Sequence, residues 1–411
     1  MKAKITFICI GTELLAGRTL NSNLAFAGKK LEQAGFLPTL ELTVSDNPTD
    51  ISDALDIAEK RSNITITIGG LGPTSDDITA ETVYSFLHCP VHLNKTLVSQ
   101  ITSFLQTRKI NINLDNIKKQ ALVPENSTII SNANGTAPGI WYEKNKKITI
   151  MLPGPPQEFC PMFEDILKKI EDIFIPEFFR KTGFVIGTSE AVVAQKTVEV
   201  LKKYPMITPE YCACPEGVRL TLSTNIKYAD KLKNAFAESA KRFGLSFTAG
   251  EKANIAKKIG DILVKKNWKL ATVESCTGGM IAAKITDLPG ASDFYCGSVI
   301  TYSNEWKNKM LGVTSETLEK DGAVSIKTAK EMLKGIMTKY AVECGIAVTG
   351  IAGPTGGTAE KPVGLVYIGT LVKGDIHLTE NFFKGTRKNI RERTVARALN
   401  QMYFHLKQVY Y

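Results

Sequence analysis

Short, nearly unbroken apolar runs punctuate the chain, ITFICI at 5–10 and ITITI at 64–68 among them, and between them apolar positions recur every three or four residues. The runs predict strands buried on both faces and the spaced segments predict amphipathic helices. From residue 1 to about 170 this gives strand 4–10, helix 21–34, strand 40–44, helix 51–60, strand 64–68 and a hairpin of 139–143 with 147–152. Such alternation predicts a parallel sheet covered by helices. Ligands of these sheets lie beyond the carboxyl ends of the strands, where the chain places three irregular segments: 11-GTELLAG-17, 69-GGLGPTSDD-77 and 153-PGPPQE-158.

From 175 to 250 the glycine-rich loops stop, and the pattern predicts a small α+β unit with a strand at VRLTLST and a helix over 228–243. A second alternating region begins near 251. It reads helix 251–268, strand KLATVES, a glycine-rich turn with helix 280–287, strand DFYCGSVITYS, helix SIKTAKEMLKGIMTKY, strands GIAVTG, GLVYIGTLV and IHLTENFFK, and a terminal helix after Gly385. At 411 residues the chain is long enough for two or three cores. The organisation expected is residues 1–172, 173–250 and 251–411.

Composition narrows the classes. Hydrophobic residues make up 43% and charged residues 22%, and no apolar run reaches the roughly 18 residues of a membrane span. The short N-terminal run lacks a small-residue cleavage site, so a cytoplasmic protein is expected. Eight scattered cysteines without a CxxC pair indicate neither a zinc site nor a disulfide framework. The four histidines form no HExxH-like group, so any metal is expected to be a hard cation held by oxygen. The net charge of +10 comes from scattered lysine doublets, which suit solvated helix faces and are compatible with anionic small molecules.

In the first region, the glycines of GGLGPT permit a concave loop of N–H groups, while Asp76 and Asp77 beside it would repel a phosphate unless a divalent cation lay between. Thr79 and Glu81 equally suit a helix start, with Thr79 as its cap. Taken in order, GTELLAG, GGLGPTSDDITAE, NGTAPG and PGPPQE resemble the N-terminal domain of the CinA (competence/damage-inducible) family, which is similar to the three-layer α/β/α MoaB/MogA fold. The resemblance implies a metal-dependent ADP-ribose pyrophosphatase. It places substrate contacts at Gly11, Glu13, Asn21, Asn23, Gly69, Gly72, Thr74, Gly154, Pro155 and Glu158, and a divalent metal such as Mg or Co on Asp76 and Asp77. It also admits a monovalent cation such as K. Arg18 and Leu20 depart from the motif and bear on pocket shape. The middle segment resembles the family's KH-like domain but holds no GxxG, the loop with which KH domains clamp RNA. A spacer or dimer-forming role is expected for it.

In 271-ATVESCTGGM-280, a glutamate, a serine and a cysteine meet at a strand-to-helix junction whose N–H groups could hold an oxyanion or a phosphate. Ser275 or Thr277 could equally be a helix cap, the better reading for Thr277. Cys276 has no histidine near any motif of this region to activate it, which favours packing. A base for Ser275 could come from 301-TYSNEWKNK-309, where composition does not choose between Lys307 and Lys309. Resemblance chooses: ATVESCTGG, VITYSNEWKNKMLGV, GAVS and IAVTGIAGPTGGTAEKPVGLVYIG look like the C-terminal domain of the same family. Its activity is hydrolysis of nicotinamide mononucleotide to nicotinate mononucleotide and ammonia. This implies Ser275 as nucleophile with Lys307 and Tyr302 as base and partner. Substrate contacts are then expected at Thr277, Gly278, Gly279, Thr349, Gly350, Gly353, Gly356 and Gly357. Arg387 is either a phosphate ligand or a solvated helix residue, and Glu360 with Lys361 a surface pair. No cofactor is expected in this domain, and the family implies a homodimer. Overall the expected fold is α/β: a MoaB/MogA-like domain and a CinA-type α/β domain joined by a small α+β KH-like domain. The alternatives are a competence-associated nucleic-acid scaffold and a molybdopterin-binding protein.

Overall fold

The computed structural model describes residues 2–110 and 113–410. The chain divides into two compact units, one of residues 1–180 with 223–232 and one of 181–222 with 233–411.

The first unit is built on a six-stranded sheet in the order Pro38–Val44, Ile5–Ile10, Ile64–Ile68, Lys147–Leu152, Gly139–Lys144, Thr128–Ile130. The first four strands are parallel and the last two antiparallel. The sheet is therefore mixed, because 139–144 and 147–152 form the hairpin and 128–130 pairs beyond it. All six residues of Ile5–Ile10 and all five of Ile64–Ile68 are buried. Ile5, Phe7 and Cys9 pack with helices Ser22–Ala34 and Pro156–Ile173 on one face. On the other, Ile8, Ile10 and Met151 pack with helices Pro48–Arg61, Thr79–Phe86 and Lys95–Thr107. Two covered faces make three α/β/α layers. The chain leaves Ile5–Ile10 for the neighbour on one side and then crosses to Ile64–Ile68 on the other, so the strand order reverses at this point. A crevice opens at such a switch, beyond the carboxyl ends of the strands.

Residues 178–249 contribute a four-stranded sheet in the order Thr208–Cys214, Gly217–Asn225, Phe178–Ile186, Phe247–Ala249, with helices Glu190–Leu201 and Ala229–Phe243. The α+β character matches expectation. The likeness to KH domains rests on resemblance alone.

The second unit repeats the switch. Its five-stranded sheet runs Tyr295–Ile300, Leu270–Glu274, Cys344–Gly350, Leu365–Val372, Asp375–Phe382. Leu270–Glu274 lies parallel to both its neighbours, and the last two strands turn antiparallel. Ile346 and Val348 pack with helices Ile255–Lys266, Met280–Thr286 and Arg387–Tyr410, whereas Ala271, Val273 and Ala347 pack with Asn304–Leu311 and Ile326–Tyr340. All three parallel strands end on one side, so the segments that follow them, 275–279, 301–307 and 351–357, emerge together. Among the described residues no helix is long and apolar enough to cross a membrane.

Candidate functional sites

The first unit's crevice is a cavity of about 540 Å³ lined by Gly11, Glu13, Asn21, Asn23, Gly69, Gly72, Asp76, Asp77, Gly154, Pro155 and Glu158. The structure thus brings together every residue expected there except Thr74, which stands just behind the wall. Thr74 donates its N–H to Asp77 Oδ2 at 3.1 Å and its hydroxyl to the same oxygen. It fixes the acid and leaves Asp77 Oδ1 and the Asp76 carboxylate to the cavity. A Cβ at Gly72 would stand 2.3 Å from Asp77 Oδ2, so a side chain there would displace the Asp77 carboxylate. Asn21 caps helix Ser22–Ala34 through Leu24 N, and Asn23 Nδ2 ties that helix to the Gly154 carbonyl at 2.6 Å. Thr79 does not cap: the helix begins at Thr79 itself after Ile78, and its buried hydroxyl has no partner.

Sequence reasoning missed Asp46, which lines the cavity and accepts from Thr12 N at 2.8 Å, and Asn132, which donates to Glu158 Oε2 at 2.7 Å. No motif announced either. With them the character of the cavity is plain. Among the described residues its wall carries five carboxylates, Glu13, Asp46, Asp76, Asp77 and Glu158, and no lysine, arginine or histidine. An anion enters such a wall only with cations. Among the described residues no three Asp, Glu, His or Cys side chains form a ready metal cage. The donors fit a hard divalent ion held by one or two carboxylates and completed by ligand phosphate oxygens.

In the second unit the strand Leu270–Glu274 delivers Ser275 to the crevice. Lys307 Nζ donates to Ser275 Oγ at 3.1 Å and to the Thr301 carbonyl at 2.8 Å. Lys307 is 1% exposed, and burial pulls its pKa down from 10.5 to about 8. Lys309, the other candidate, is on the surface and pairs with Glu305. Cys276 is buried and its thiol is pushed up to about 11 by burial, so it stays protonated and inert near neutral pH.

Glu274 is the residue whose role the sequence did not disclose. Fully buried, it accepts Gly279 N at 3.0 Å, Ile281 N at 3.1 Å and Ala282 N at 2.9 Å. It does from the strand end what a capping side chain does next door, and neither Ser275 nor Thr277 is the cap: the N-cap position is Gly279 and Thr277 Oγ1 is buried without a partner. At the helix terminus the Gly278 N–H is taken by the Ser275 carbonyl and the next ones by Glu274 and the Thr277 carbonyl, so an oxyanion or phosphate expected at this junction falls to the turn before them.

Positive charge comes instead from the terminal helix. Arg387 Nη1 donates to the Gly353 carbonyl at 2.8 Å and Nη2 to the Tyr302 hydroxyl at 3.0 Å. Tyr302, 64% exposed, is thereby held on Arg387 rather than on Lys307. One turn further, Arg391 donates to the Thr277 carbonyl at 2.8 Å, while its buried Nε and Thr301 Oγ1 have no partner. Such orphaned groups mark places for water or a ligand. Arg391 was missed, though its i, i+4 spacing from Arg387 was a readable signal. Thr349 Oγ1 donates to the Ala323 carbonyl at 2.6 Å, tying GAVS to the strand before the loop that holds Gly350, Gly353, Gly356 and Gly357. Lys361 does not pair with Glu360 but donates to the Asp321 carbonyl at 2.6 Å.

Residues 252–406 match the family model described as the CinA C-terminal domain, and residues 6–172 match that of a probable molybdopterin binding domain. The chain is 39% identical over 399 residues to a putative competence-damage inducible protein of Caldicellulosiruptor bescii, covering 96% of this chain and 97% of that one. It is 38% identical over 403 residues to a CinA-like protein of Dictyoglomus thermophilum, covering 96% and 97%. A solved competence/damage inducible protein from Agrobacterium tumefaciens is 40% identical, with TM-score 0.36, over 38% of this chain and 98% of that one.

Glu274→Gln removes the charge and turns one acceptor into a donor facing N–H groups. It should lower the unfolding free energy of the second unit by about 1–3 kcal/mol, read as an earlier denaturant midpoint. Lys307→Met should do the opposite. A lysine whose folded pKa lies below its unfolded one binds fewer protons when folded, so its stability penalty is fully present below about pH 8 and fades as pH rises towards 10.5. The methionine variant should therefore melt higher than wild type at pH 7, with the gap closing in alkaline buffer.

Proposed function

The chain belongs to the CinA family, and from that premise we propose that it is a two-site hydrolase of pyridine-nucleotide salvage, deamidating nicotinamide mononucleotide in its second unit and splitting ADP-ribose in its first. One observation carries the deamidase reading: a lysine amine, lowered to about 8 by burial, within 3.1 Å of a serine hydroxyl at a sheet switch point.

The chemistry follows from the geometry. Neutral Lys307 takes the Ser275 proton as Oγ attacks the carboxamide carbon. The lysine ammonium then gives that proton to the leaving nitrogen, and the C–N bond breaks to release ammonia and leave an acyl-serine. A water deprotonated by Lys307 opens the ester and frees the nicotinate. Arg387 and Arg391 supply positive charge for the mononucleotide's phosphate, with Tyr302 kept in place by Arg387. Glu274 acts by fixing the turn that carries Ser275.

In the first unit the reading rests on the all-acidic wall. Asp76 and Asp77 would hold a divalent ion, which when bound would supply positive charge against the diphosphate. The absence of GxxG in the middle segment argues against the nucleic-acid scaffold.

Ser275→Ala and Lys307→Ala should each abolish ammonia release from nicotinamide mononucleotide, and the double variant should lose no more than either single one. Cys276→Ser should keep a substantial part of it. The wild-type kcat/KM should rise with pH and level off above about 8, because the active lysine is the deprotonated one. A dead Cys276→Ser enzyme that still folds would reverse the assignment. Asp76→Ala or Asp77→Ala should abolish ADP-ribose hydrolysis and leave deamidation intact, and EDTA should do the same. Joint loss of both activities would refute separate sites.

A further inference from the structure

The hydroxyl of Thr301 has no part in the reading above. Thr301 is fully buried and its Oγ1 has no partner among the described residues, although both its main-chain groups are committed. Its N–H donates to the Glu274 carbonyl at 2.9 Å, and its carbonyl accepts Lys307 Nζ at 2.8 Å. The sheet register sets it beside the nucleophile. Glu274 stands opposite Ile300 on one neighbouring strand and Val348 on the other, so the residues that follow, Thr301, Ser275 and Thr349, fall in one row across the strand ends. Two residues back along each strand, Val299, Val273 and Ala347 all pack on the face of helices Asn304–Leu311 and Ile326–Tyr340. Because side chains alternate along a strand, the row turns its hydroxyls to the face from which Lys307 reaches in.

Within that row Thr349 donates to the Ala323 carbonyl and Ser275 receives Lys307, which leaves Thr301 with the unused hydroxyl. Neighbouring strands lie about 4.8 Å apart, too far for two hydroxyls to bond directly and a span that one water bridges with two hydrogen bonds of about 2.8 Å. An unpaired buried hydroxyl costs stability, so one kept next to a nucleophile points to a ligand. Thr277, whose hydroxyl is also buried without a partner, is held by Arg391 rather than by the base. We propose that Thr301 Oγ1 holds the water that hydrolyses the acyl-serine. The inference rests on the deamidase reading and adds the residue that places its second nucleophile. The water donates one O–H to Thr301 Oγ1 and the other to neutral Lys307 Nζ. Lys307 takes that second proton as the water oxygen bonds to the acyl carbon. The bond from that carbon to Ser275 Oγ then breaks, and the lysine ammonium returns the proton to Oγ as the acid leaves.

The test is rapid-mixing kinetics of the full chain with nicotinamide mononucleotide, since ammonia leaves at acylation and nicotinate mononucleotide only at deacylation. Thr301→Val keeps the side-chain shape and removes an unpaired hydroxyl, so it should melt no lower than wild type. It should release one ammonia per chain in a burst and then turn over roughly tenfold or more slowly, with the acyl group caught on the Ser275 peptide by mass spectrometry. Thr301→Ser, which restores the hydroxyl, should show no burst and return to within about threefold of wild-type turnover. A valine variant with unchanged turnover would overturn the assignment, as would ammonia and nicotinate mononucleotide falling together without burst or adduct. A wild type that releases no ammonia defeats the deamidase reading and this assignment with it, whereas an active wild type whose valine variant shows no burst defeats the assignment alone.

Discussion

The second unit's site turns on a lysine amine kept from water, with a serine hydroxyl and a backbone carbonyl as its only partners among the described residues. A cation there has lost its hydration, so the neutral amine is favoured more than in an ordinary lysine. This unfavourable burial is what brings an ordinarily protonated side chain within reach of deprotonation near pH 8. Burial acts on its neighbour too, pushing the Cys276 thiol up to about 11 and so keeping it protonated.

The placement of Ser275 depends on Glu274, and the two residues divide the work. The carboxylate gathers three helix N–H groups and so pins the turn against the strand end, while the hydroxyl beside it faces the crevice. Positive charge at this crevice comes from two guanidinium groups, Arg387 and Arg391, one helical turn apart on the terminal helix. The first unit solves the anion problem in the opposite way, with an acidic wall that needs a cation. Two similar sheet switches thus present contrasting electrostatics.

Much of this was legible in the sequence. Continuous apolar runs announced the doubly covered strands, and the glycine-rich segments after them marked both crevices. Lys307 was within reach only through resemblance, because nothing in TYSNEWKNK says which lysine is buried. Glu274 read as a bystander, since a cap is sought among residues just before a helix and this carboxylate reaches it from the preceding strand. Helix Lys95–Thr107 and the edge strand went unread between 88 and 138, where short elements interrupted by polar residues carry little periodicity. Arg391 shows the converse: the spacing was visible, but only the folded helix shows that its guanidinium meets the Thr277 carbonyl.

The account stands or falls on the protonation of one amine. Direct NMR titration of the Lys307 Nζ in isotopically labelled protein, assigned by its disappearance in Lys307→Met, should show it losing its proton near pH 8. Titration at the ordinary lysine value of 10.5 would contradict the account, because the amine would then be a surface-like cation and no base for Ser275.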